Sequence, residues 1–94
     1  MIRKLVPSAE EAQVIALKIL TFFAADEMRL ERFLAVSGVA PEELRGRAAE
    51  PDFLGGVMDH LLGDQSLLLL FAEIEAIAPE TIMAARNHLP GAPV

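Results

Sequence analysis

Pro51-Asp52-Phe53-Leu54-Gly55-Gly56-Val57-Met58-Asp59-His60-Leu61-Leu62-Gly63-Asp64 is the stretch on which the fold turns. Phe53, Leu54, Val57, Met58, Leu61 and Leu62 recur at the steps of three and four residues that place side chains on one stripe of an α-helix. Pro51 suits the first turn, where a missing N–H leaves no hydrogen bond unmade. Gly63 stops the run, and Asp64 is the kind of short acceptor that caps the next helix. A strand would alternate with a period of two residues, and no segment of this chain does.

The same signals repeat in both directions. Upstream, Pro41 opens a short helix to about Ala48, and Gly38 ends a helix over Glu27–Ser37 that Asp26 caps. That helix points Leu30, Phe33 and Leu34 inward and Arg29, Glu31 and Arg32 outward. Further back, Ser8 and Glu11 form a capping box ahead of a helix from Ala9 to about Ala25. Its Val14, Ile15, Leu17, Ile19, Leu20, Phe22 and Phe23 cover more than half the circumference, so it is expected at the centre. Downstream, Gln65 to Ala78 reads as a fifth helix and Pro79 to about Leu89 as a sixth. Residues 1–7 read as an arm and residues 90–94 as a frayed tail. The expectation is an all-α, compact irregular (orthogonal) bundle of five to six short helices, a single domain over residues 1–94.

Composition bounds the function classes. The chain has 94 residues, 53% of them hydrophobic, and no cysteine. With a mean hydropathy of +0.40, it carries enough apolar surface to offset ordering entropy. The absence of cysteine removes disulfides and thiolate chemistry. After Lys4 only Leu5 and Val6 precede Pro7, so no secretory leader is read, and Leu67–Ala72 is far too short to span a bilayer. A cytoplasmic protein is expected. Fourteen acidic residues against eight basic ones give a net charge of −6, which repels phosphate polymers and anionic membranes.

Residues with chemical potential are few and scattered. His60 lies on the polar face of its helix with Asp52, Gly56 and Asp59, where a solvated histidine is expected, and His88 is near the end of the sixth helix. Neither has a second His, Cys or carboxylate at a metal-binding spacing. Ser8 is occupied as a cap, Ser37 precedes a helix-ending glycine, and no phosphate-cradling glycine loop is present. Gly55-Gly56 sits mid-helix and is read as close packing against a neighbouring helix. Glu10-Glu11 and Glu42-Glu43 lie in first turns, where they favour the helix macrodipole. No catalytic residue, cofactor or metal is expected.

Two surfaces remain. Residues 27–48 have the parts of a helix-turn-helix, in which Arg45 and Arg47 would reach DNA. Glu42 and Glu43 at the start of the would-be recognition helix argue against that reading. On the fifth helix, Leu67, Leu70, Phe71, Ile74 and Ile77 form one apolar face. Leu68, Leu69, Ala72 and Ala76 form a second, bounded by Glu73 and Glu75. Either the helix is central and covered on both sides, or the first face anchors it and the second is a surface for another protein or for a second copy in a homodimer.

Gly38-Val39-Ala40-Pro41-Glu42-Glu43-Leu44-Arg45, then Pro51-Asp52-Phe53-Leu54, Val57-Met58-Asp59 and Asp64-Gln65-Ser66-Leu67-Leu68-Leu69-Leu70-Phe71-Ala72, resemble in order the bacterial family catalogued as domain of unknown function 3572. The resemblance runs from about Ala12 to Arg86. Family members often carry Asp-Pro where Asp26-Glu27 stands here. It implies a small uncharacterised helical bacterial protein and brings no activity with it. The leading functional expectation is a non-enzymatic protein–protein interaction module, with DNA binding through residues 27–48 as the alternative.

Overall fold

The computed structural model describes residues 7–91. Among them run six α-helices: α1 (Ala9–Ala24), α2 (Glu27–Ser37), α3 (Leu44–Arg47), α4 (Pro51–Leu62), α5 (Gln65–Glu75) and α6 (Pro79–Arg86). A 3₁₀ turn, Pro41–Glu43, leads into α3. The all-α bundle read from the sequence is the fold. Of the expected arm and tail, residues 1–6 and 92–94 lie outside the described residues.

Helix starts follow local chemistry. Ser8 Oγ accepts from the Glu11 N–H at 3.1 Å while the Glu11 carboxylate accepts from the Ser8 N–H at 2.7 Å, the reciprocal pairing expected there. Asp26 and Asp64 accept from the N–H groups of Arg29 and Leu67, at 3.0 and 3.1 Å. Each cap of this kind is worth about 1 kcal/mol over alanine. Gly38 ends α2 with φ +75°, the left-handed turn that glycine adopts without steric cost.

Helix α1 packs on α2, α4 and α6 and is the central helix. Its buried side is narrower than the sequence suggests. Ala12, Ile15, Ala16, Ile19, Phe22 and Phe23 face inward, whereas Val14 and Leu17 face solvent. From α4, Phe53, Leu54, Val57, Met58 and Leu61 complete the core, with Leu62 packed at its edge. Phe22, Phe23, Phe33, Phe53 and Phe71 form a chain of ring contacts with centroids 5.2–6.0 Å apart.

Three expectations are corrected. The helix expected over Pro41–Ala48 is a 3₁₀ turn followed by one α-turn. Gly46 at its middle, and Leu44 as its sole large apolar residue, leave little to offset helix nucleation. Helix α5 stops at Glu75 rather than Ala78. Ala76 turns left-handed (φ 56°), and the N–H groups of Ile77 and Ala76 reach back to the carbonyls of Ala72 and Glu73. That turn swings Ile77 onto the core, and Pro79 then holds Ala78 extended. Finally, α6 ends at Arg86 rather than near Leu89. Leu89 is buried, and a methyl placed on Gly55 would lie 2.8 Å from the Pro90 carbonyl oxygen.

Candidate functional site

Helix α4 has a different neighbour on each side. Toward α6, Arg86 is 4% exposed and its guanidinium forks onto Asp59, at 2.6 Å to Oδ1 and 3.0 Å to Oδ2. A third donor, Nη1, caps the Leu89 carbonyl at 3.0 Å. Every polar atom of this buried cation is thus directed at an acceptor or at its edge, the condition under which a buried charge is tolerated. Gly55 makes room for it, since an added Cβ would come within 3.2 Å of an Arg86 guanidinium nitrogen. The close packing expected at Gly55-Gly56 therefore holds for Gly55, and its neighbours are a side chain and the segment after α6. Gly56 is exposed and has nothing within 4 Å of an added Cβ.

Toward α2, His60 is not the solvated histidine of the helical wheel. It lies edge-on to Phe23 and Phe33, with ring centroids at 5.2 and 5.3 Å. Burial lowers the imidazole pKa below its ordinary value, with Asp64 pulling it up and Arg32 pushing it down. The groove here, ≈ 470 Å³, is lined by Phe33, Val36, Val39, Phe53, Gly56 and His60 among others. Its cation is already engaged. Arg47 Nε donates to Glu50 at 2.8 Å, and the guanidinium sits 5.3 Å from the centre of the Phe53 ring. Among the described residues no group of three or more His, Cys, Asp or Glu could hold a metal ion.

A second groove, ≈ 790 Å³, opens where α4, α5 and α6 meet. Leu62, Leu68, Leu69, Pro79 and Met83 give it apolar walls, Gln65, Glu80 and Asn87 lie along it, and the Asp59–Arg86 pair borders it. Leu69 is 51% exposed and Met83 55%, one from each helix.

Of the residues expected to form a partner face on α5, Ala72 is buried and Leu68 is half-buried against the core, while Leu69 and Ala76 are exposed. Ala76 lies past the helix end. The inward side of α5 falls between the two faces drawn from the sequence, because Phe71 and Ala72 both point in. Leu70 and Ile74 consequently stay exposed, and Ile74 borders a separate shallow groove with Phe22 and Lys18. Arg45 is exposed on α3, and Arg47, two residues on, is held by Glu50. Met83, Asp59 and Arg86 escaped the sequence reading. The signal for Arg86 was its isolation: from Pro51 to Arg86 it is the sole Lys or Arg against Asp52, Asp59, Asp64, Glu73, Glu75 and Glu80.

A family model described as a protein of unknown function (DUF3572) matches residues 9–92. No curated protein and no solved structure matches the chain. Among the described residues no helix is long and apolar enough to cross a membrane.

Proposed function

We propose that this chain, which belongs to the DUF3572 family, is a non-enzymatic protein–protein interaction module that engages its partner through the groove between α5 and α6. The observation that carries this reading is the pair Leu69 and Met83. Two large aliphatic side chains on neighbouring helices stand half-exposed over a shared apolar floor of Leu62 and Leu68. A lone exposed leucine is ordinary, but paired apolar walls around a groove are the usual anchor site for a partner side chain.

The test replaces Leu69→Glu and Met83→Glu together, leaving Leu68 alone because it packs on the core. The expected result is a folded protein with unchanged helical circular dichroism that no longer self-associates or retains its partner in cross-linking. Loss of the fold, or association that survives the change, would contradict the reading.

The alternative, DNA contact through Arg45 and Arg47, has one observation in its favour: Arg45 is exposed and has no salt bridge among the described residues. Against it stand the single-turn length of α3, the carboxylates of Glu42 and Glu43 just before it, and the Arg47–Glu50 pair. A salt-sensitive shift of labelled duplex, abolished by Arg45→Glu with Arg47→Glu, would promote this alternative, and no shift at low salt would retire it.

A further inference from the structure

We infer that the partner of the α5–α6 groove is a cationic amphipathic helix and not a second copy of this chain; the inference rests on the interaction reading above. Its basis is how charge is divided along the fold. Residues 8–50 set Lys18, Arg29, Arg32, Arg45 and Arg47 among eight carboxylates, a mixed surface. From Pro51 to Arg86 the six carboxylates face Arg86 alone, and Arg86 is buried in the fork with Asp59. Glu75 is met from outside by Lys18 at 3.8 Å, and Asp64 is engaged as the cap of α5. Asp52, on the α2 side of α4, and Glu73 and Glu80 have neither kind of partner among the described residues, and all three are exposed.

Those two glutamates flank the apolar walls. Glu80 lines the groove one turn before Met83 on α6, and Glu73 follows Leu69 by one turn on α5. Since α5 and α6 are joined by the three residues 76–78, both carboxylates lie toward the connected end of the groove. Aliphatic anchors beside unpaired negative charge suit a helix with apolar residues at steps of three and four and Lys or Arg beside them. The described residues contain no strand, so an extended peptide has no sheet edge to join. In a two-fold dimer through this groove each copy would bring Glu73 and Glu80 to a face whose one cation among the described lining residues, Arg86, is already engaged by Asp59.

The experiment titrates the purified full chain into fluorescein-labelled helical peptides built from Leu, Ala and Lys and follows anisotropy at two salt concentrations. Companion peptides carry Gln or Glu in place of every Lys. The Lys peptide should bind and weaken with salt, the Glu peptide should not bind, and Leu69→Ser with Met83→Ser should abolish binding of the Lys peptide. Glu73→Gln with Glu80→Gln should weaken it about three- to tenfold, the effect of two exposed pairs. Equal affinity for the Lys and Gln peptides, or no effect of the glutamine variant, would overturn the cationic inference and leave the groove as an interaction site. No binding of the Lys peptide, with a dimer broken by Leu69→Ser, would also overturn it and turn the interaction reading to self-association. Lys-peptide binding indifferent to Leu69→Ser with Met83→Ser would remove both.

Discussion

Gly55 and Gly56 are neighbours on α4, yet one is locked and the other is open. On the α6 side Gly55 lies under Arg86 and the Pro90 carbonyl, and the Asp59 fork ties α4 to α6 across 27 residues of chain. On the α2 side nothing lies within 4 Å of a Cβ added to Gly56, and of the polar groups on its groove Arg47 is held by Glu50 and His60 lies edge-on to phenylalanine rings. The difference teaches that a glycine pair in a helix is not a single feature. One member permits a close approach, and the other only lowers helix propensity.

The largest expected effect tests the locked side. Arg86→Ala removes the fork and leaves the Leu89 carbonyl without its donor. Because Asp59 is half-exposed, the loss is discounted to about 2–4 kcal/mol in urea denaturation. Arg47→Ala, on the open side, should cost less than about 1 kcal/mol because its pair with Glu50 is exposed. Equal losses for the two variants would break the comparison.

The glycines themselves sharpen it. Gly55→Ala should lose about 1–3 kcal/mol, because the new methyl meets backbone at 2.8 Å and backbone cannot swing aside. Gly56→Ala should gain roughly 0.5–1 kcal/mol from the restored helix propensity. Thermal and urea melts of the two variants read opposite signs, and a shared sign would contradict the account.

Ala76 is the converse case, a left-handed position that lacks glycine. Ala76→Gly should relieve strain and raise stability by about 0.5 kcal/mol, part of the relief being offset by the added freedom of the unfolded chain. An unchanged urea midpoint would mean that the turn is not strained.

The smallest effect belongs to His60. Its folded-state pKa is lowered, chiefly by burial, so the unfolded chain takes up the proton first as pH falls. The stability tied to the neutral imidazole is complete above the ordinary histidine value and is lost as pH falls through it toward the lower folded value. His60→Asn should therefore show a flatter stability profile than the parent across that window. Parallel profiles would mean that His60 titrates alike in both states.

What the sequence makes legible is local. Ser8, Asp26, Asp64 and the prolines at 41, 51 and 79 mark starts because a cap or a missing N–H acts within one turn. Helix ends are less legible. Gly38 announces its turn, but Ala76 looks like any helix former, and its left-handed twist is imposed by the burial of Ile77 and by Pro79. The core side of α5 is ambiguous on a wheel because apolar residues surround it, and only the position of α4 and α6 chooses Phe71 and Ala72. The groove depends on Met83, which reads as an ordinary helix residue until α6 is laid beside α5. The lone Arg86 among carboxylates was visible in the sequence, although its partner was not.

The central claim is that the partner meets the α5–α6 groove and leaves the α2 side of α4 free. A photo-cross-linking residue placed singly at positions 69, 83, 36 and 56 of the full chain in living cells tests it directly. The account predicts a discrete higher-mass adduct from positions 69 and 83 and none from 36 and 56. Adducts from 36 and 56 alone, or equally from all four, would contradict it.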